Sequence, residues 1–206
     1  MNIAAKLAAI GTATIGEAWS GCRIMRSPPE PISPEMTMAG FAVTVQCQPG
    51  DNLAIHHAIA AIAPNSSSLL VVDYSGCTSS GPFGEIMAIA CQARGINGLL
   101  ITGAIGDSEQ IRRLGFPVFA LGRNIIGTTK MNSGVHGCSI MIGDAPINPG
   151  DIVVADADGI VVVKAKDTGK LLMATEAQIA KETEVIERLN AGETTLQIYK
   201  LDTQNA

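Results

Sequence analysis

GEIMAIACQARGINGLLITGAIGD, residues 84–107, is the stretch that decides the fold class of this chain. Its first part, 84–95, has the apolar spacing of a helix and ends at a glycine, a residue common just past helix C-termini. GLLIT at 98–102 is a continuous apolar run, typical of a strand buried on both faces. A helix followed directly by such a strand predicts one unit of a parallel sheet that helices cover.

The same alternation continues on both sides of this stretch. The sequence predicts strands at 41–48, 68–74 and 117–120 and helices at about 53–63 and 108–114. Because strands and helices alternate along the chain, we expect parallel pairing within an α/β domain.

Beyond residue 120 the pattern changes to short β segments. Strands are predicted at 139–142, 151–154 and 159–163, with turn signals at 148–150 and 158–159. Such an all-β stretch indicates an added sheet layer. We therefore predict a β/β/α sandwich rather than a plain doubly wound sheet.

Both ends of the chain are predicted to be helical. Residues 1–20 have the pattern of a short amphipathic helix that caps the domain, and 167–190 form the most charged segment. Apolar residues recur at every seventh position of that segment and form a narrow seam, which consists of Leu172, Ile179 and Ile186 with Leu189 alongside. A narrow seam suits packing on another subunit, and a helix that closes its own domain is an equally consistent interpretation.

Composition excludes several classes of function. The chain has 206 residues, 47% apolar and 16% charged, which fits a single folded domain. A net charge of −5 and an aromatic content of 3% argue against nucleic acid as a partner. The five cysteines never form a CxxC pair, so we expect neither a disulfide framework nor a zinc site but a reducing, cytoplasmic environment. No apolar run is long enough to span a membrane.

The loop DYSGCTSSGPF at 73–83 is the first candidate binding site. It follows a predicted parallel strand and leads into the helix that begins near Gly84, so it lies where open α/β sheets bind ligands. Free N–H groups at a helix start favour an anion such as a carboxylate. The Gly/Ser content is also explained by the turn alone, because many such loops are rich in these residues.

Asp107 is the second candidate, since it comes just after the predicted strand at 98–102. A carboxylate there suits a hard cation such as Mg²⁺, which prefers oxygen and water ligands. The alternative is that Asp107 or Ser108 caps the helix that follows.

The order and spacing of several motifs resemble the RraA-like family. The matching pieces include LLVVDYSG (69–76), the opening stretch at 84–107 and PGDIVVADADGIVVV (149–163). This family includes divalent-metal-dependent aldolases for 4-hydroxy-4-methyl-2-oxoglutarate and 4-carboxy-4-hydroxy-2-oxoadipate. The resemblance implies a β/β/α sandwich of the swivelling-domain type that assembles as trimers or hexamers. The whole chain, 1–206, would be one such domain, with the helix at 1–20 and a helical extension at 167–206.

The resemblance also implies a set of site residues. Backbone amides of Gly84, Glu85, Ile86 and Met87 would hold the pyruvyl group of a small anionic 2-oxo acid, and Asp107 would organise Mg²⁺ or Mn²⁺. Glu85 is a supporting acid, and Glu182, which the resemblance places on the C-terminal helix of the neighbouring subunit, would help to hold metal-bound water. A dication beside the 2-oxo acid stabilises the enolate that C–C cleavage leaves.

One position departs from the family pattern. The family has arginine before the aspartate, whereas this chain has Gly106 before Asp107. Glycine supplies no charged clamp, and either Arg123 or Lys130 would have to reach in from the next loop. Three functions remain open: a metal-dependent lyase (aldolase or decarboxylase), a relative diverted to isomerase, hydratase or cyclase chemistry, and a non-catalytic binding protein like the ribonuclease inhibitor that gives the family its name.

Overall fold

The computed structural model describes residues 3–132 and 134–201. Within these residues a nine-stranded mixed sheet has the order β1-β11-β10-β3-β4-β5-β6-β2, with β7 paired to β3, and β8 and β9 form a separate two-stranded sheet. The strands are β1 Arg23–Ile24, β2 Glu30–Pro31, β3 Met38–Gln46, β4 Ser68–Asp73, β5 Leu99–Ile105, β6 Val118–Arg123, β7 Val135–His136, β8 Ile140–Ile142, β9 Ala145–Ile147, β10 Ile152–Asp156 and β11 Gly159–Val163. The helices are α1 Ile3–Ile10, α2 Thr12–Ala18, α3 Leu53–Ala61, α4 Glu85–Ala93, α5 Ser108–Leu114, α6 Thr168–Asn190 and α7 Thr195–Tyr199, with a 3-10 turn at Ala165–Asp167.

The centre of the sheet is parallel, as the alternation of strands and helices predicts. Strands β3, β4, β5 and β6 pair in parallel, and every residue of β5 is buried. Strand β5 is longer than the predicted 98–102 because its apolar run continues to Ile105. The mixed α/β fold class is confirmed.

Alternate side chains of the central strands enter different layers. Leu70 and Val72 of β4 pack with apolar residues of α3, α4 and α5, whereas Leu69 and Val71 pack with the small β8–β9 sheet. This follows from the two-residue repeat of a strand, which sends neighbouring side chains to opposite faces. The layers are therefore helices, large sheet and small sheet, so an added layer is present as predicted.

Of the three strands predicted for the added layer, only the one at 139–142 lies there, as β8. The predicted strands at 151–154 and 159–163 are β10 and β11, which instead extend the large sheet because β10 pairs with β3.

The N-terminal segment differs from the single helix predicted at 1–20. Two helices, α1 and α2, meet at Gly11, whose φ of 87° lies in the left-handed region that interrupts a helix. Asp156 supports the second helix, since its carboxylate accepts hydrogen bonds from the N–H and hydroxyl of Thr12 at 2.7 and 2.5 Å. Met1 and Asn2 lie outside the described residues.

Two helices, α6 and α7, occupy the segment predicted as the extension 167–206, of which residues 202–206 lie outside the described part. Leu171 and Thr175 are the buried residues of α6, and Leu171 packs in an apolar cluster with α1, α2 and the β10–β11 hairpin. Of the predicted seam, Ile179, Ile186 and Leu189 stay exposed. In the residues that the structure describes, no helix is long and apolar enough to cross a membrane.

The carboxyl ends of the parallel strands lie at one edge of the sheet. The residues that follow β3, β4, β5 and β6 meet there, and the loop from Asn124 onward binds the other loops through N–H groups of Asn124 and Gly81, which donate to Ile105 O and Ile126 O at 3.0 and 2.8 Å. This edge is where an open α/β sheet forms its crevice.

Candidate functional site

A cleft of about 280 Å³ opens at this edge of the sheet. Helix starts and loops from four parts of the chain form its walls. The lining residues are Asn52, His56, Gly81, Pro82, Gly84, Ile86, Met87, Asp107, Gly127, Thr128 and Lys130. The site therefore contains both signs of charge and several polar groups, which is the lining expected for a small anionic ligand.

Asp107 joins two helix starts at the cleft. It occupies the N-cap position of α5 with a left-handed φ of 50°, and its side chain makes no capping hydrogen bond to that helix. Its Oδ2 atom instead accepts the Glu85 N–H of α4 at 3.0 Å. The alternative drawn from the sequence, in which Asp107 caps the following helix α5, is therefore wrong, because its side chain caps the preceding helix α4. The Asp107 carboxylate is exposed and lines the cleft.

Gly84 makes this arrangement possible. A Cβ atom at residue 84 would stand 2.5 Å from Asp107 Oδ2, too close for any other residue without a shift. The first turn of α4 also favours a carboxylate, because its N–H groups carry a partial positive charge.

The backbone amides at 84–87 are only partly available to a ligand. The Glu85 N–H donates to Asp107, and the Met87 N–H donates to Gly84 O at 3.1 Å. Among the described residues the Ile86 N–H has no acceptor, and its side chain is 80% exposed at the rim of the cleft. The Gly84 N–H likewise has no acceptor in the described part of the chain, so the Gly84 and Ile86 amides are the donors that remain for an incoming carboxylate or carbonyl oxygen.

Asn52 and His56 contribute polar atoms without partners. Asn52 is 7% exposed, and its Nδ2 donates to Pro82 O at 2.8 Å. Its Oδ1 and the Nε2 of His56 are buried atoms for which the described residues supply no hydrogen bond. Buried polar groups are nearly always paired, so two unpaired atoms lining one cleft indicate a place for ligand groups.

His56 lies in a positively biased environment. Burial lowers the pKa of its imidazole, and the charges of Lys130 and His57 lower it further. Its ordinary pKa is 6.5, so the ring is neutral at pH 7. A ligand carboxylate would offset the charge of Lys130 and favour protonation of the ring.

Lys130, rather than Arg123, is the cation of this cleft. Lys130 is one of the lining residues, whereas the Arg123 guanidinium donates to Ile32 O at 3.0 Å and borders a different depression. Gly106 leaves space beside Asp107, since a Cβ there would meet nothing closer than Asn124 O at 3.6 Å. The position that holds arginine in the family pattern is open, and a lysine lies across the cleft.

A metal at this site would have few protein ligands from one protomer. Within the described part of the chain, no group of three or more His, Cys, Asp or Glu side chains converges. Asp107 supplies one carboxylate with an oxygen that Glu85 does not use. This donor set fits a hydrated Mg²⁺, which keeps several waters and takes one or two carboxylates.

The two other predicted acids lie outside the lining of the cleft. Glu85 is in the first turn of α4, half-buried, and is not among the described residues that form the walls. Glu182 lies on α6, where its carboxylate accepts hydrogen bonds from the Thr14 hydroxyl at 3.3 Å and from Gln178 Nε2 at 2.9 Å. Any part that Glu182 plays at a cleft requires a second subunit.

Asn52 and His56 are not among the site residues predicted from the sequence. Both follow the carboxyl end of β3 and are four residues apart, so they share one face of α3 at the edge where Asp107 lies. That spacing, combined with the predicted strand end, is the signal that identifies them.

Comparisons with known proteins place the chain among relatives of one family. A family model described as RraA-like (Aldolase/RraA) matches residues 12–162. A protein of Halalkalibacterium halodurans named "Putative 4-hydroxy-4-methyl-2-oxoglutarate aldolase" is 32% identical over 174 residues, which are 84% of this chain and 82% of that protein.

Solved structures share the fold. An uncharacterized protein from Pseudomonas syringae has a TM-score of 0.83 at 25% identity and covers 98% of this chain and 96% of its own. The RNA-processing inhibitor RraA of Thermus thermophilis has a TM-score of 0.68 at 19% identity, over 74% of this chain and 92% of its own. The second likeness concerns the fold alone.

Proposed function

The chain belongs to the RraA-like family, and from this premise we propose that it is a divalent-metal-dependent carbon–carbon lyase acting on a small 2-oxo acid. The observation that carries the proposal is the cleft, which combines the Asp107 carboxylate, a free helix-start amide, unpaired polar atoms and Lys130. The name of the H. halodurans relative supports an aldolase as the specific reaction.

Each group of the cleft has a place in such a reaction. Cleavage of a 4-hydroxy-2-oxo acid removes the hydroxyl proton, breaks the C3–C4 bond and leaves its electron pair on C3 as the enolate of pyruvate, which then takes up a proton. The Ile86 N–H would bind an oxygen of the pyruvyl end. Asn52 Oδ1 would accept a hydrogen bond from the substrate hydroxyl, and the neutral imidazole of His56 would take up its proton. Lys130 would pair with a carboxylate at the far end of the substrate.

Asp107 would hold Mg²⁺ or Mn²⁺ together with water. When bound, a dication supplies electrostatic stabilisation of the enolate charge. Glu85, in the first turn of α4, and Glu182 are the supporting acids in this proposal.

The proposal includes a homo-oligomer, trimer or hexamer. Ile179, Ile186 and Leu189 of α6 are 39%, 56% and 38% exposed, and exposed apolar rows of this kind are typical of subunit contacts. Glu182 lies on the same helix, so a neighbouring subunit that packs there brings this acid toward a cleft. A reducing, cytoplasmic location accords with five free cysteines.

The residue before Asp107 favours a second candidate. Without an arginine at residue 106 the pocket loses a charged group that would steady an enolate, which favours a relative diverted to isomerase, hydratase or cyclase chemistry. In that case a 2-oxo acid binds in the cleft without release of pyruvate.

The test is pyruvate release from 4-hydroxy-4-methyl-2-oxoglutarate by the purified chain with Mg²⁺ or Mn²⁺. Asp107→Ala should lower kcat/KM by a factor of about 10² to 10³, because the cleft loses the carboxylate that holds the dication. Asp158→Ala, in an exposed turn, is the matched control and should behave like the wild type. Pyruvate release that survives Asp107→Ala unchanged would contradict the proposal, as would binding of the 2-oxo acid with no release.

A further inference from the structure

We propose that Asp51 is a positioning residue of the cleft, which holds the segment carrying Lys130 against the start of helix α3. The segment consists of residues 127–131 and is called the lysine loop below. The part of this inference that concerns ligand binding rests on the proposed function, and the part that concerns the loop does not.

The Asp51 carboxylate is buried, and both of its oxygens accept hydrogen bonds from the chain. Asp51 is 4% exposed, and its Oδ1 accepts the Leu53 N–H of α3 at 2.8 Å. Its Oδ2 accepts the Thr129 hydroxyl at 2.5 Å and the Met131 N–H at 2.7 Å. One carboxylate therefore binds the helix start on one side and the lysine loop on the other.

These contacts bracket Lys130. Thr129 and Met131 are its two neighbours in the chain, so the backbone of Lys130 is held from both sides while its own side chain faces the cleft. Asn52, which directly follows Asp51, and His56, one helical turn later on α3, form the other polar wall. Asp51 thus fixes the distance between the cation and the unpaired polar atoms.

Backbone hydrogen bonds keep the same region folded without the carboxylate. The Asn52 N–H donates to Thr129 O at 3.1 Å and the Thr129 N–H donates to Gly50 O at 2.9 Å. The Gly50 N–H in turn donates to the Tyr74 hydroxyl at 2.6 Å. Because these bonds remain, we expect loss of the carboxylate to loosen the lysine loop rather than to unfold the domain.

The charge state of Asp51 supports this role. Burial raises the pKa of its carboxyl group, but hydrogen bonds from the Thr129 hydroxyl and from the N–H groups of Leu53, Met131 and Asn132 outweigh burial and leave the pKa well below its ordinary value. The group is ionised at neutral pH, which strengthens each hydrogen bond that it accepts.

Position matters for Lys130 because its side chain is long and exposed. A lysine on a mobile loop samples many rotamers and gives up that freedom when it binds a ligand. A loop fixed at both neighbours of the lysine reduces this loss, so the cleft is prepared for an anion before the anion arrives.

The experiment measures the binding of two 2-oxo acids. 2-Oxoglutarate has a distal carboxylate but lacks the 4-hydroxyl that C3–C4 cleavage requires. Pyruvate lacks the distal carboxylate altogether. Lys130→Met should weaken 2-oxoglutarate about tenfold, the order of one charge-assisted hydrogen bond. Asp51→Asn should weaken it about threefold, and the double variant should match Lys130→Met alone, because Asp51 acts through Lys130. Pyruvate affinity should change by less than about twofold in all three variants.

Hydrogen exchange of the free protein supplies the second readout. The amides of Thr129 and Met131 should exchange faster in Asp51→Asn. Asp156→Asn is the matched control, since Asp156 also accepts a threonine hydroxyl and a helix-start N–H but lies away from the cleft, and it should leave both amides unchanged. Thr129→Val removes the hydroxyl that donates to Asp51 and keeps the carboxylate. This variant replaces Asp51→Asn in the exchange measurement if Asp51→Asn does not fold.

The outcomes separate the two proposals. The positioning role would be overturned if the amides of Thr129 and Met131 exchange in Asp51→Asn as slowly as in the wild type. It would also be overturned if Asp51→Asn weakens 2-oxoglutarate binding as much in the Lys130→Met background as it does alone. If the wild-type chain binds neither 2-oxo acid, the proposed function fails, and the exchange measurement alone then decides whether Asp51 holds the lysine loop.

Discussion

Two carboxylates cap the helix starts beside the cleft, Asp51 at α3 and Asp107 at α4, and each carboxylate with its helix start is called a corner below. Asp51 accepts the Leu53 N–H of α3, and Asp107 accepts the Glu85 N–H of α4. Asp51 is buried and accepts two further hydrogen bonds, from Thr129 and Met131, whereas Asp107 is exposed and its second oxygen is not used by Glu85.

A carboxylate cap on a helix start therefore serves two purposes in this molecule. A carboxylate whose hydrogen bonds are all made within the chain is fixed in place and has no capacity left for a ligand. A carboxylate that makes one such bond is oriented but still has an oxygen free to bind a cation or water. The Asp51 corner therefore belongs to the framework of the cleft, and the Asp107 corner is where chemistry is expected.

Among the variants that compare the two corners, the largest effect is expected from a charge added to the Asp107 corner. Gly106→Arg places a guanidinium beside Asp107, and the free space around residue 106 can accept a side chain. If the Asp107 corner lacks only this cation, kcat/KM for pyruvate release should rise at least about tenfold. A hydrogen-bond donor directed at the charge that develops on the enolate has effects of this order or larger. The measurement is steady-state pyruvate release with Mg²⁺.

Gly106→Gln is the control for that gain, because it adds a side chain of similar reach without charge. An equal gain in both variants would mean that space, rather than charge, limits the reaction. No gain in either variant would contradict the idea that the Asp107 corner lacks only a cation, and it would favour the isomerase, hydratase or cyclase chemistry.

The next effect concerns stability at the Asp51 corner. The pKa of Asp51 is lower in the folded chain than its ordinary value of 3.8. The ionised carboxylate therefore stabilises the folded state fully above that pH, and this contribution is lost as the pH falls below it. Asp51→Asn should already be less stable than the wild type at pH 7, and its stability should fall less steeply below about pH 4. Urea unfolding followed by circular dichroism at pH 7 and pH 3.5 measures both.

Asp107→Asn is the matched variant at the other corner. It weakens a single helix-start hydrogen bond, so its free energy of unfolding at pH 7 should fall by about 1 kcal/mol or less, and by less than that of Asp51→Asn. A larger loss for Asp107→Asn would show that the two corners have been assigned the wrong way round.

Much of the fold follows from the sequence because its signals are local and regular. Helix α5 at Ser108–Leu114 and strand β11 at Gly159–Val163 have the predicted bounds, since a continuous periodic pattern and clear turn residues delimit them. The single helix predicted at 1–20 was wrong, because its apolar spacing runs through Gly11 and conceals the break. The small sheet was predicted through its β8 strand, but β9 at Ala145–Ile147 was missed because it is three residues long and contains a proline.

The candidate site was only partly predictable for a different reason. Asp107 and the helix start at Gly84 were identified because each directly follows a recognisable element. The partner of Asp107 was not, because the choice between its own helix and α4 depends on a left-handed backbone turn that the sequence does not reveal. Lys130 and Arg123 were equal candidates until the fold placed Lys130 in the lining of the cleft and directed the Arg123 guanidinium to Ile32 O.

The smallest effect is a pH dependence at the wall between the two corners. Burial and the charges of Lys130 and His57 lower the pKa of His56 from 6.5, and a bound dicarboxylate would offset the Lys130 charge and raise it again. Binding of 2-oxoglutarate should therefore take up a proton, so its affinity should increase as the pH falls from 8 toward 6, by less than about tenfold per pH unit because one group titrates. Calorimetry across this range should give a flat profile for His56→Gln, whereas the pH dependence should persist in His57→Gln, whose ring is exposed on the same helix. If the affinity of His56→Gln for 2-oxoglutarate depends on pH as steeply as that of the wild type, His56 does not take up the proton. Lys130 would then be the group of the cleft that recognises the distal carboxylate.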